Sequence, residues 1–268
     1  MPAPIRLAPT LTKLSDCEGA VVVTGSHGAR YCGRLAVAAR LRAAIFHDAG
    51  IGLEGAGIAA LALLAERGIA AAAASHLSCR IGDTEDMMRR GVISHANAVA
   101  AAYGVMPGLS CAAAAERLTG APHRVADIPD AEEARLVLKP EGAVRPIVLI
   151  DSASLVDPPG DRGAVVVTGS HGGLVGGDPK MALRVDGFAA AFNDAGIGID
   201  RAGLGRFAPL DERGIAAITV DAMTARIGEA RSTFEGVISA VNERALALGA
   251  REGMRAREVL EAWAMTPV

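Results

Sequence analysis

Gly19-Ala20-Val21-Val22-Val23-Thr24-Gly25-Ser26-His27-Gly28 recurs unchanged as Gly163-Ala164-Val165-Val166-Val167-Thr168-Gly169-Ser170-His171-Gly172. Ten identical positions in a row exclude chance, and the likeness continues downstream. Phe46-His47-Asp48-Ala49-Gly50-Ile51-Gly52 returns as Phe192-Asn193-Asp194-Ala195-Gly196-Ile197-Gly198 with one change, and Glu66-Arg67-Gly68-Ile69-Ala70-Ala71 returns intact at 212–217. Arg80-Ile81-Gly82 pairs with Arg226-Ile227-Gly228, and Gly91-Val92-Ile93-Ser94 with Gly236-Val237-Ile238-Ser239, always 144 to 146 residues apart. The chain is a tandem duplication, the first feature to seek in any sequence.

Within each copy the pattern alternates between strand and helix. Ala20–Val23 is a short apolar run bounded by glycine, which reads as a buried strand, and a helix follows it. A second strand ends at Phe46, and a helix runs from about Gly55 to Arg67 with Gly68 as its left-handed cap. Ile69–Ala74 is the third strand, and Asp83 opens a last helix with Asp86 three residues on. In the second copy, Asp178-Pro179 reads as a helix start, and Ser232 with Glu235 as a capping box. Ile147–Ile150 adds a strand before the second copy, with Ile5-Arg6-Leu7 as a weaker counterpart. The expected fold is α/β: a tandem duplication of a Rossmann-like βαβαβα unit, with parallel sheets, helices on both faces, and lobes either pseudo-twofold related or joined in one sheet. The expected organisation is a first repeat over 1–121, a charged, proline-bounded linker over 122–145 and a second repeat over 146–268.

Composition bounds the function. Of 268 residues 51% are hydrophobic but only 3% aromatic, so the core is aliphatic and a base-stacking surface is hard to build. The net charge of -3 gives no basic stripe, and no nucleic-acid partner is expected. No run reaches the roughly 20 apolar residues of a membrane span, and the first residues lack a secretory pattern. Cys17, Cys32, Cys79 and Cys111 follow no CxxC spacing and all lie in the first half, which suggests a reducing cytoplasm rather than disulfides or structural zinc. Glycine is over-represented, at 32 residues.

The repeated motifs each follow a strand, which places them at the carboxyl edge of a parallel sheet, where open α/β sheets bind ligands. Ser26 and His27, and Gly169, Ser170, His171, Gly172 and Gly173, lie on glycine-rich turns whose backbone N–H groups suit an anion. Neither turn fits GxxxxGK[ST] or GxGxxG, so no nucleotide motif is present. Ser170 is a candidate nucleophile, and His171, Asp194, His27 and Asp48 are candidate proton carriers. Asp48 and Asp194 have an alternative role, capping their own loops. Arg80 and Arg226 offer planar forks for a carboxylate or phosphate, unless they pair with Asp83 and Glu229. Asn193, Gly196, Asp151 and Ser152 complete the expected substrate site, which favours the second copy.

His27, His47, Asp48 and His76 contain zinc-ligand types but no HxH or HExxH spacing. No cofactor is therefore expected, with zinc or another divalent metal as the alternative. The duplicated lobes resemble the aspartate/glutamate racemases in architecture; that resemblance implies one catalytic cysteine per lobe, and the second copy has no cysteine. The expected activity is that of a cytoplasmic enzyme on a small, anionic, carboxylate-bearing metabolite, with hydrolysis ahead of lyase or isomerase chemistry. The alternative is a non-catalytic anion-binding or regulatory protein with duplicated lobes. A small-molecule partner and a homo-oligomer are compatible with either, and no membrane partner is expected.

Overall fold

Valine and alanine runs closed by glycine become strands because both faces of each run can be covered by helices. The structure, a computed structural model, describes residues 3–128 and 132–267. The first copy runs β1 (Ile5–Ala8), β2 (Val21–His27), α1 (Arg30–Ala38), β3 (Ala43–His47), α2 (Ala59–Ala65), β4 (Ala70–Ala74), α3 (Thr84–Arg90), β5 (Ile93–Ala96), α4 (Ala98–Ala101) and α5 (Cys111–Leu118). The chain continues through β6 (Arg135–Leu138), β7 (Ile147–Ile150), β8 (Val165–His171), β9 (Ala189–Asn193), α6 (Phe207–Glu212), β10 (Ala216–Val220), α7 (Ala230–Glu235), β11 (Ile238–Val241), α8 (Glu243–Ala247) and α9 (Ala256–Met265).

These strands form two sheets rather than one, ordered β1-β2-β3-β4-β5 and β11-β10-β9-β8-β7-β6. β1 to β4 are mutually parallel, as are β7 to β10, while β5, β11 and β6 pair antiparallel at the edges. Strand order follows chain order in each sheet, so neither contains the reversal that makes the crevice of a doubly wound sheet. β6 falls inside 122–145 and extends the second sheet.

Both faces of each sheet are covered, as the unbroken apolar runs demand. Val22, Ala44, Phe46, Ala71 and Ala73 pack under α1 and α2, whereas Val21, Val23, Ala43, Ile45, Ala70 and Ala72 face α3, α4 and α5. In the second sheet α7, α8 and α9 cover Val165, Val167, Ala191 and Ile218, and α6 covers part of the other face.

Two local expectations are corrected. Asp178-Pro179 opens only a three-residue 3-10 turn, with the Asp178 carboxylate accepting the Lys180 N–H at 2.9 Å. Gly176 and Gly177, both left-handed at +62° and +69°, precede it, and Leu183 and Val185 bury themselves without a helix where α1 stands in the first copy. Ser232 lies inside α7, whose cap position is Glu229, because its hydroxyl accepts the Arg226 N–H at 2.8 Å. Asp86 does the same for the Arg80 N–H at 2.9 Å, so both side chains tie down the Arg-Ile-Gly turn. The Asp83 cap forms as expected, accepting from Asp86 N–H.

The loops after β3 and β9 meet. A Cβ on Gly50 would lie 2.7 Å from the Gly196 Cα, which only glycine at both positions permits. Leu53 N–H donates to the Ala222 carbonyl at 2.7 Å and Ile199 N–H to the His76 carbonyl at 2.8 Å, an equivalent pair of contacts made in opposite directions. Ala29, Ala49, Ile81, Ala195 and Ile227 form a small apolar cluster along this boundary.

Candidate functional site

The Asp-Ala-Gly-Ile-Gly loops spend their polar groups on themselves. Asp194 Oδ1 accepts the N–H groups of Gly196 at 2.8 Å and Ala222 at 3.0 Å. Asp48 Oδ1 accepts those of Gly50 and His76 and also meets His76 Nδ1 at 2.9 Å. Burial opposes ionisation of Asp48, but its hydrogen bonds to His76 and the neighbouring imidazoles outweigh it and hold the carboxyl below its ordinary range. Asp194 has no imidazole partner, and burial outweighs its backbone N–H bonds and the Ser239 hydroxyl and raises it.

The exchange of His47 for Asn193 is equally local. His47 Nε2–H donates to the Cys79 carbonyl at 3.0 Å, and Nδ1 accepts the Ala49 N–H at 3.1 Å. Asn193 Nδ2–H donates to the Ala225 carbonyl at 3.0 Å, and Oδ1 accepts the Ala195 N–H at 2.9 Å. An imidazole and a carboxamide thus perform one task with one donor and one acceptor each.

The two motif arginines bridge the copies. Arg80 reaches Asp200 at 2.9 Å, and Arg226 grips Glu54 with Nε and Nη2, both at 2.9 Å. The acids close in sequence, Asp83 and Glu229, stand farther away at 4.0 and 3.4 Å. Both forks are therefore engaged with carboxylates of the other copy.

The Gly-Ser-His segments, expected as open turns after their strands, instead form the last residues of β2 and β8 and are tightly packed. Gly169 packs on the backbone of Gly228 and Glu229, Gly172 on Gly203, and Gly173 on Ile81 and Ala202, so a Cβ would collide at each. Gly172 N–H donates to the Asn193 carbonyl at 2.8 Å.

What these strand ends do position is a cavity of about 90 Å³ on the boundary of the two copies. Ser26-His27 and Ser170-His171, the matched pairs of the duplication, both line it, with Asp151 and Ser152. The two imidazoles stand edge to face with centroids 6.3 Å apart. Burial lowers His27 to about 4 and His171 well below its usual value, so both rings are neutral at pH 7. Ser26 Oγ accepts the Leu11 N–H at 3.1 Å and Ser170 Oγ the Ala153 N–H at 2.9 Å. Asp151 is likewise spent, on the N–H groups of Ala134 and Ala230, each at 2.9 Å.

Sequence reasoning missed several lining residues. Glu133, in the stretch between the copies, has its carboxyl raised to about 7 by burial and by Asp151. Cys32 stands beside His27, its thiol pushed up to about 12 by burial. Lys13, Arg184 and Arg206 bring positive charge, and none pairs with a carboxylate among the described residues. Arg206 had a signal: it replaces Ala60 at the equivalent position of the first copy. Glu133 had none, since nothing in its local sequence announces a buried carboxyl. The cavity gathers His27, Ser26, Ser170, His171, Asp151 and Ser152, while Gly196, Arg80 and Arg226 belong to the inter-copy contact and Asp48, Asp194 and Asn193 organise the loops of their own copies. No cluster of three or more His, Cys, Asp or Glu is placed to hold a metal among the described residues, and no helix there is long and apolar enough to cross a membrane. Neither protein-family models, nor curated proteins, nor solved structures yield a match to this chain.

Proposed function

We propose that the chain consists of two βαβαβα units related by a pseudo-twofold axis, and that the cavity between them binds and transforms a small, carboxylate-bearing metabolite. The reciprocal contacts at Gly50 and Gly196, Leu53 and Ile199, and Arg80 and Arg226 support the symmetry. One observation carries the functional reading. The Ser-His pairs of both copies converge on a cavity whose three cations lack carboxylate partners among the described residues. Arg206 is buried while Lys13 and Arg184 are exposed, and positive charge without a carboxylate partner favours an anionic guest. Four free cysteines fit a reducing, cytoplasmic setting.

The geometry favours proton transfer over nucleophilic attack. Ser170 Oγ already accepts a backbone N–H and is hydrogen-bonded to no imidazole. Glu133, by contrast, titrates near neutrality, where a carboxyl both takes and returns a proton efficiently. Glu133 is therefore the proton carrier, with neutral His27 and His171 as hydrogen-bonding partners of the substrate. Lyase or isomerase chemistry then ranks above hydrolysis. The binding-only reading is favoured by one fact, that both serine hydroxyls are committed to organising loops.

A panel of small carboxylates in deuterated buffer, followed by proton NMR, separates the two. The enzyme reading expects conversion or carbon-bound deuterium with at least one of them, falling about 100-fold or more in Glu133→Gln while binding persists. Carboxylates that bind but undergo neither change with the unaltered protein would leave a sensor.

A further inference from the structure

Arg206 is the most deeply buried of the cavity's cations, at 2% exposure, and it is the one the duplication adds to the second copy alone. Its Nε donates to the carbonyls of His171 and Gly173 at 3.0 and 3.1 Å, and its Nη1 to those of Met181 and Ala182. Its face lies over the Phe192 ring, 4.8 Å from the centroid. Nη2 makes no hydrogen bond among the described residues, and Arg206 lines the cavity. The carbonyls hold the fork in place without neutralising it. Beside it stands the buried His171 ring, its Nδ1 turned toward the Gly173 backbone without an ideal hydrogen bond.

We infer that Arg206 is the anion anchor of the cavity, and that its ligand is a carboxylate of about two to four carbons whose anionic end takes Arg206 Nη2 beside His171. This rests on the cavity being the binding site proposed above. Size supports the class: the cavity, at about 90 Å³, is well below the roughly 300–1,000 Å³ of pockets that take drug-sized ligands. The anchor also breaks the equivalence of the two Ser-His pairs, because Ala60 offers no charge at the matching place. The anion sits at the second-copy side, leaving the remainder of the ligand toward His27 and Glu133. Burial lowers the guanidinium only to about 10, so it keeps its charge at pH 7.

Calorimetric titration with acetate, L-lactate, adipate and inorganic phosphate tests this, alongside side-chain NMR of the protein carrying ¹⁵N-arginine. Acetate or lactate should bind saturably, adipate at least 30-fold more weakly, and the Arg206 Nη resonance should move with the same saturation curve. Arg206→Gln should weaken lactate at least 30-fold. Because that residue also ties four carbonyls, the resonance in the unaltered protein decides the matter if the variant fails to fold. Lactate binding with an unmoved Arg206 signal overturns the anchor while leaving the cavity reading intact. Preference for adipate or phosphate overturns the ligand class. Leu35 also lines the cavity, and binding unaffected by Leu35→Trp, which narrows it, overturns the cavity reading itself.

Discussion

Ile51 and Ile197 hold φ of +65° and +60°, in the left-handed region where a β-branched side chain is an outlier. Each sits in a run of four left-handed residues, Ala49–Gly52 and Ala195–Gly198, a conformation costing of order 1 kcal/mol or more at each non-glycine position. The aspartates offset that cost by gathering the loop N–H groups, Asp48 with its carboxyl held below the ordinary range and Asp194 with its carboxyl raised by burial. In Asp48→Asn the bond to His76 loses its charge, and we expect a loss of about 1–3 kcal/mol in urea unfolding at pH 7. Asp194 is held by backbone N–H donors and the Ser239 hydroxyl, partners that an Asn carboxamide also satisfies, so Asp194→Asn should stay within about 1 kcal/mol of the parent. Equal losses would contradict the assignment. The cavity imidazoles impose a pH dependence of their own. His27 titrates near 4 when folded and 6.5 when unfolded, so between those values the unfolded chain binds the extra proton. Its contribution is complete above pH 6.5 and is lost as pH falls toward 4, at up to about 1.4 kcal/mol per pH unit. Glu133, raised from 4.5 to about 7, acts in the opposite direction, costing stability as pH rises through that range. The His27 share is thus a difference: lowering pH from 7 to 4.5 should cost the parent about 1–3 kcal/mol more than His27→Gln in denaturant titrations.

The elements hang on side chains whose meaning is not local. Asn97 Oδ1 accepts the N–H groups of Ala71 in β4 and Ala100 in α4, while Nδ2 donates to the carbonyls of Leu61 and Ile69. Asn242 repeats the arrangement on Ala217, Ala245 and Ile215. One carboxamide thereby caps α4, reaches a carbonyl of α2 and fixes the chain end of β5 beside β4. Asn97→Ala leaves at least two buried backbone groups unpaired and should destabilise by about 2–4 kcal/mol in chemical denaturation. Asn97→Asp, which keeps the cap but loses the two donations, should fall between. β2 to β4, and β8 to β10 with them, were legible because Val21–Val23 is an apolar run framed by glycine and Ala70–Ala74 is one that follows a glycine cap. β5 and β11 were not: Ile93-Ser94-His95-Ala96 is four mixed residues, and its place is set by Asn97 and the bulged pairing with β4. The helix expected at Asp178-Pro179 failed because a sound cap stood before a segment with glycines at its start and no amphipathic run behind it.

At the scale of the molecule, two carboxyl edges that the repeat marks as ligand sites are turned toward each other. Much of what the repeat preserves, Gly50 against Gly196 and Arg80 and Arg226 against the opposite acids, serves that meeting. A sequence comparison of the two halves cannot separate retention for contact from retention for chemistry, since both select the same loops. Only the Ser-His pairs, at the rim of the contact, are left facing space, and the residues that complete their cavity come from segments outside the repeated motifs. The contact itself makes a testable demand. Its exposed ion pairs contribute little, so Arg226→Ala should cost under about 1 kcal/mol. The glycine crossing is different, because a side chain at Gly196, left-handed at +72° and against the Gly50 Cα, is opposed by both backbone and neighbour. Each half has its own two-faced core, so Gly196→Val should push the halves apart without dissolving either. Calorimetry should then show one cooperative transition in the parent and in Arg226→Ala, but two separated transitions in Gly196→Val. A single, merely lowered transition in Gly196→Val would mean that neither half is stable alone and that the crossing belongs to one undivided folding unit.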